Sequence, residues 1–226
     1  YRLDWAKELG YEFGATITLA QLQEFCKACV DKDMAGNGAT VGLTTRTSAF
    51  VPGVMDFLDF KVAGFVKTES GYVWGPTMPG VADQIKVLRD FYTSGALDPD
   101  FYLLSSDESK NRFSSGVAAA MFGDGGPGNE TEAFNGFEEA NSDKDADEHI
   151  GVAVLSDNDG IVHTQECTNF WTLKLFGPDI EPNTFDRLLS MIDYFNDPSE
   201  GQIACANGIP GVDWQWTEDG MIDKSI

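Results

Sequence analysis

Apolar positions recur along this chain with two periods, and the two periods sort its segments into helices and strands. Residues 3–9 predict a short helix stopped by Gly10. From Thr18 onward, Leu19, Leu22, Phe25, Cys26, Cys29 and Val30 fall on one face at helical spacing, with Thr18 as the N-cap. A Gly/Asn/Asp loop over 31–40 leads into a short β-like run at 41–44, and 52–60 predicts another short helix. Alternating β-formers over 65–74 predict a hairpin with Ser70-Gly71 in the turn. Val81, Ile85, Leu88, Phe91 and Tyr92 mark an amphipathic helix over 79–94, closed by Gly95. Residues 106–115 form a polar helix ended by Gly116.

Val117 to Phe122 is short, apolar throughout and suited to a buried strand. A Gly-rich loop from Gly123 to Asn129 follows, and then a helix near 131–140. Strands are expected at 150–155, 161–165 and 170–175, and the strongest late helix at 184–196, with Phe185, Leu188, Leu189, Ile192 and Phe195 on its apolar face. No internal repeat or low-complexity tract interrupts the chain. The pattern is mixed α/β and rather helix-rich, and no linker forces a boundary, so residues 1–226 read as a single domain.

Composition narrows the function classes. The chain has 226 residues, 42% of them apolar, enough for a sizeable core. No run of eighteen apolar residues occurs, so neither a transmembrane helix nor a disordered tail fits. Against 15 Lys+Arg stand 37 Asp+Glu, a formal net charge of −22. Such a chain repels phosphate backbones, which makes nucleic acid and anionic lipid poor partners. The opening Tyr-Arg-Leu-Asp-Trp has neither an initiator Met nor an apolar leader, and the sequence reads as a piece of a longer protein.

Few motifs carry chemistry. Cys26 and Cys29 make a C-x-x-C, but in mid-helix on the apolar face, where thiols behave as small hydrophobes rather than as a redox pair. The pairing of Cys167 with Cys205 stays open, and no paired His or second C-x-x-C supports zinc. His149 and His163 sit in no nucleophile, metalloprotease or phosphate-loop motif. The loop from Asp31 resembles a calcium loop, but Ala35 and Val41 fall where oxygen ligands are needed, so no metal is expected. Asp157-Asn-Asp-Gly fails in the same way, and the acidic run 143–148 reads as a solvated loop. The Gly123–Asn129 loop, between a buried strand and a helix, can present backbone N–H groups and small polar side chains to a ligand. Trp214 and Trp216 share same-face spacing in a polar stretch, the pattern of an aromatic platform on which sugars stack.

The order of several short pieces is similar to one family. Tyr1-Arg2-x-Asp4-Trp5, the Thr18 helix, Asp33-Met-Ala-Gly36-Asn37-Gly38 and Ser70-Gly71-Tyr72-Val73-Trp74-Gly75 come first. Tyr92-x-x-Gly95-x-Leu97-Asp98-Pro99-Asp100-Phe101, Phe113-x-Ser115-Gly116, Asp157-Asn-Asp-Gly160, the Leu188–Phe195 run and Gly208-Ile-x-Gly211-x-x-Trp214 follow. Together they resemble the second lobe of the extracellular solute-binding proteins of ABC importers, family 1. Ala35 stands where that family has Asp, and its trailing Lys-Asp is missing here.

The resemblance implies a type II periplasmic-binding-protein lobe, helix-rich with a small mixed sheet. It implies non-catalytic capture of a carbohydrate outside the cell and delivery to a membrane permease, by a monomer without cofactor, and the net charge of −22 points to a neutral one. The full-length protein would be lipid-anchored at the cell surface. In such a clamp the ligand is held by loops after strands and by helix N-termini. The expected contacts on this lobe are Trp214, Trp216, Trp171, Asn169, Asp124 and Asn129. A carbohydrate-active enzyme or a free-standing sugar-binding module is the other reading, and an enzyme would need two carboxylates converging in one cleft.

Overall fold

The computed structural model describes residues 1–46, 64–123, 127–163, 174–198, 201–220 and 222–224. They belong to two compact units, Tyr1–Glu166 and Cys167–Ile226. The expected helix at 52–60 and most of the expected strand at 170–175 lie outside the described residues.

The first unit opens with α1 (Leu3–Leu9), which ends at Gly10 in the left-handed conformation, as the sequence predicts. Strand β1 (Thr16–Thr18) runs directly into α2 (Leu19–Lys32). Thr18 and Gln21 form a reciprocal capping box there, which satisfies two backbone donors that a helix start would otherwise leave open. Leu19, Leu22, Phe25, Cys26 and Cys29 are buried on the predicted face. Strand β2 (Val41–Thr44) follows. A Cβ at Gly42 would stand 2.0 Å from the Ala96 carbonyl oxygen, so that crossing requires glycine.

Strands β3 (Phe65–Thr68) and β4 (Gly71–Trp74) form the expected antiparallel hairpin. Its turn is Glu69-Ser70, one residue earlier than predicted, because Gly71 at φ +120° already pairs with Thr68. Helix α3 (Val81–Thr93) buries Val81, Leu88 and Phe91 and leaves Ile85 and Tyr92 exposed. Helix α4 (Ser106–Ser114) begins with a Ser105–Glu108 capping box and ends before Gly116. Strand β5 (Ala118–Met121) is buried, as its apolar run predicts.

Helix α5 (Pro127–Ala140) begins four residues before the predicted start at 131. Proline at the first helical position has its φ already set and no N–H to leave unsatisfied, and it draws Asn129 out of the loop into the first helical turn. A short α6 (Ala146–His149) and β6 (Val154–Ser156) complete the unit. Residues 161–163, expected in a strand, are not in one. Asp157 takes them up instead: its carboxylate accepts from the N–H groups of Asp159 and Ile161 and meets His163 Nε2 at 2.7 Å.

The pairings are small and mostly long-range. Strand β1 lies parallel to β6, with Thr16 opposite Val154, and β2 lies parallel to β5, with Val41 opposite Ala118. The main core gathers Trp5, Phe25, Leu43, Phe91, Leu97 and Leu155, with Tyr1, Tyr11 and Phe13 packed edge-on or stacked around Phe25. A second cluster holds Phe113, Ala118, Phe137, Ala146 and Ile150. Arg2, only 3% exposed, lies near both clusters. Its guanidinium carbon sits 4.4 Å from the Trp5 ring centroid and 5.3 Å from that of Phe137, and its nitrogens donate to Asp4 and to Gly116 O.

The second unit contains α7 (Pro182–Asn196), α8 (Gly201–Asn207) and a two-stranded ladder of β7 (Gln215–Trp216) with β8 (Ile222–Asp223). The apolar stripe predicted on α7 is present, but no residue of this helix is fully buried, and Met191, Tyr194 and Phe195 are exposed. Cys205 on α8 carries an exposed free thiol, and Cys167 lies outside the described residues. Among the described residues, no helix is long and apolar enough to cross a membrane.

Candidate functional site

The end of β5 and the start of α5 organise the polar surface of the first unit. Asp107, Lys110, Asn111 and Ser114 recur at spacings of three and four on α4, so they form one helix face. Asn129, Glu132, Asn135 and Glu139 recur at spacings of three and four on α5. The two faces border a cleft of about 600 Å³. Gly136 lets the helices approach, because a Cβ there would stand 3.0 Å from Ser114 Oγ. Lys110 Nζ bridges the helices by donating to both Glu132 oxygens at 2.7 Å.

This lining is a set of amides, hydroxyl and carboxylates. Asn111, Asn129 and Asn135 each supply a donor and an acceptor, and Asp107 and Glu139 accept only. Such a surface suits a ligand rich in hydroxyl groups. Carboxylates outnumber the single lysine, so the cleft disfavours anions. A second, narrower and more apolar cavity of about 280 Å³ lies between residues 120–123 and 150–155, and Asn129 borders it too.

The expected contacts are divided between the units. Asn129 lies in the first and lines both cavities. Trp214 and Trp216 lie in the second, and Asp124, Asn169 and Trp171 fall outside the described residues. The two indoles come together at a centroid distance of 5.0 Å, but at an interplanar angle of 89°. Trp214 is 3% exposed and donates its indole N–H to Gly208 O at 3.0 Å, whereas Trp216 is 55% exposed. The flat two-ring platform expected from their spacing is therefore not formed. Trp214 is a packed anchor held by its own hydrogen bond, and Trp216 alone presents a ring to solvent.

Two features escaped the sequence reading. One is the part the polar helix α4 plays as a wall of the cleft, since spacing alone does not say which element its face meets. The other is the exposed aromatic face of the expected hairpin: the register of β3 with β4 puts Phe65, Lys67, Tyr72 and Trp74 on one face, with Phe65 65%, Tyr72 72% and Trp74 44% exposed. The period of two in Phe65-Val66-Lys67-Thr68 and Gly71-Tyr72-Val73-Trp74 carries that signal.

The loop that resembles a calcium site keeps its carboxylate for itself. Asp33 accepts from the Gly38 N–H at 2.7 Å and from the Thr40 hydroxyl at 2.8 Å. These bonds hold its carboxyl below the usual carboxylate range. Among the described residues no three His, Cys, Asp or Glu side chains are grouped to hold a metal ion.

No protein-family model matches the chain, and neither does any curated protein. Solved structures do match its fold. The alginate-binding protein AlgQ2, solved without calcium ion, superposes over 99% of this chain and 46% of its own, with TM-score 0.69 and 17% identity. An ABC transporter solute-binding protein from Agrobacterium radiobacter K84, solved in complex with ribitol, covers 92% of this chain and 48% of its own, with TM-score 0.56 and 14% identity. The fold is thus α/β, a lobe of the periplasmic-binding-protein type, helix-rich with small sheets. The chain spans about half the length of these structures.

Proposed function

We propose that this chain is the second lobe of an extracellular solute-binding protein, which captures a neutral carbohydrate or polyol and delivers it to an ABC permease. The observation that carries the reading is the polar cleft between α4 and α5, which Asn129 lines from the first turn of α5, the helix that follows β5 in the chain. Ligands of open α/β folds bind beyond the carboxyl ends of strands, and Asn129 occupies that kind of position. The cleft offers hydrogen-bonding groups for hydroxyls, an excess of carboxylates that repels anions, and no nucleophile motif. The likeness in fold to a solute-binding protein holding ribitol supports the same reading.

The lobe acts without cofactor or covalent chemistry, as a monomer, in a protein anchored by lipid at the cell surface. On the second unit, taken by itself, Trp216 has an exposed indole face of the kind on which a pyranose stacks. Calorimetry of the full-length protein against neutral sugars and polyols tests this. Binding should appear and weaken about tenfold or more in Asn129→Ala, the loss of one to two hydrogen bonds. Absence of binding across neutral sugars and polyols, or unchanged affinity in Asn129→Ala, overturns the reading.

A further inference from the structure

The hairpin of the first unit turns its aromatic side chains to solvent. Its ladder joins no other strand among the described residues, so its two faces decide what it presents. Val66 and Val73, opposite each other in register, are half-buried on one face. On the other, Phe65 lies opposite Trp74 and Lys67 opposite Tyr72, and all four are exposed. A hairpin with one face packed and one in water carries polar residues on the second. Here three of the four are aromatic, and a contiguous exposed apolar surface marks a place of interaction. None of the four lines either cavity.

Local bonds hold this surface in place before any partner arrives. The Phe65 and Trp74 rings brace each other across the strands at a centroid distance of 5.1 Å and an angle of 58°. At the turn, the Thr68 hydroxyl donates to Gly71 O at 2.8 Å. At the open end, the Gly75 N–H donates to Gly64 O at 2.8 Å and the Thr77 hydroxyl to Trp74 O at 2.7 Å. Tyr72 precedes Trp74 by two residues, which puts its ring about 7 Å away along β4. The result is a strip of rings whose edges carry a phenol hydroxyl, an indole N–H and the Lys67 ammonium.

Charge and composition choose the occupant. Two copies of a chain with a formal net charge of −22 repel each other, and so do this chain and an anionic lipid surface. A membrane-surface binder sets several cations beside its apolar side chains, and this strip has one. An uncharged ligand meets no such repulsion, and rings with donor-bearing edges match a pyranose, whose C–H face stacks while its hydroxyls bond at the rim. We propose that the outer face of the hairpin is a docking strip for a neutral polysaccharide. Tyr72 and Trp74 are its stacking rings, Phe65 braces Trp74, and Lys67 donates to hydroxyls. An open strip favours a chain over a single sugar, because only a chain engages both rings at once. The strip is separate from the cleft between α4 and α5 and does not depend on the solute taken there.

Affinity electrophoresis of the full-length protein tests it, in native gels containing starch, xylan, galactomannan or mixed-linkage β-glucan. At least one of these should retard the wild type. Tyr72→Ala/Trp74→Ala should weaken that retardation about tenfold or more, the lower range for lost ring stacking, whereas Asn129→Ala should leave it unchanged. Tyr72→Ala alone, at the most exposed of the rings, should weaken it in the same direction and serves if the double variant melts early. Retardation by none of the four, or retardation that the hairpin variants leave intact, overturns the proposal. Loss in Asn129→Ala assigns the polysaccharide to the cleft and overturns it too. So does a hairpin variant that weakens only self-association or only binding to phosphatidylcholine vesicles, since the face then serves a second copy or a lipid surface.

Discussion

One nitrogen of Arg112 donates to both oxygens of the fully buried Asp98 carboxylate, at 2.6 and 2.7 Å. The other terminal nitrogen reaches Asp100 at 2.9 Å, and Asp98 also accepts from the Asp100 N–H while donating its own N–H to Leu43 O. The turn after α3 is thereby fixed to both α4 and β2. Asp98→Ala removes the buried partner of the half-buried Arg112 guanidinium, leaves it only the half-exposed Asp100, and should destabilise the chain by about 3 kcal/mol in urea unfolding. Adding Arg112→Met should recover much of that loss. A change below about 1 kcal/mol for the single variant would mean that the pair contributes no more than a surface ion pair.

The two C-terminal tryptophans should separate by role. Trp214→Ala removes a buried anchor and should cost about 3–5 kcal/mol of stability. Trp216→Ala should change stability by less than about 0.5 kcal/mol yet weaken sugar binding in the full-length protein by about 1–3 kcal/mol, the range for stacking on an aromatic ring. Thermal unfolding and calorimetry on the same two variants check both halves. Equal effects on stability would contradict the burial difference.

Thiol reactivity follows from burial. Desolvation pushes the Cys29 thiol up to about 12 and raises Cys26 well above its ordinary value, so neither forms thiolate at mild pH. Iodoacetamide at pH 8 should modify Cys205 in the folded protein and spare Cys26 and Cys29 until denaturant is added. Peptide mapping by mass spectrometry distinguishes the sites, and early alkylation of Cys26 or Cys29 would contradict a packed C-x-x-C.

Asp33 links loop structure to pH. Its folded-state value is lowered, by the Gly38 N–H first and the Thr40 hydroxyl next, so the folded state prefers the ionised form. The stability this contributes is fully present above the unfolded value of about 3.9 and is lost as pH falls through the lower, folded value. The stability difference between wild type and Asp33→Asn should be level above about pH 5 and shrink in more acidic solution. Since the same carboxylate is engaged within its own loop, millimolar calcium should leave the melting temperature unchanged. A calcium-dependent rise that Asp33→Ala abolishes would show a metal site.

How much was legible beforehand depends on the range of each interaction. The helices at 3–9, 19–32, 81–93 and 106–114 were readable because their apolar spacing, caps and terminal glycines are local signals. The shift of α5 to Pro127 was missed because the Gly-rich stretch was read as loop through Asn129, although a proline at the first helical position is itself a start signal. Half of the candidate site was readable as residue types and none of it as geometry: spacing put Trp214 and Trp216 on one face, but packing against Gly208 turned one ring inward and left the other out.

By itself the sequence determined the α/β character, the burial of Cys26 and Cys29 and the acidic charge balance, all of which depend on composition or on neighbours within one or two turns. The tertiary structure alone decided that Arg2 is buried near the rings of Trp5 and Phe137, and that Thr16 pairs with Val154. It also decided that the polar faces of α4 and α5 look at each other across a cleft. Periodicity states which side of an element is apolar, but not which distant element covers it. That choice is made by the joint packing of segments more than a hundred residues apart along the chain, whose chain-closure entropy only the whole set of contacts can offset.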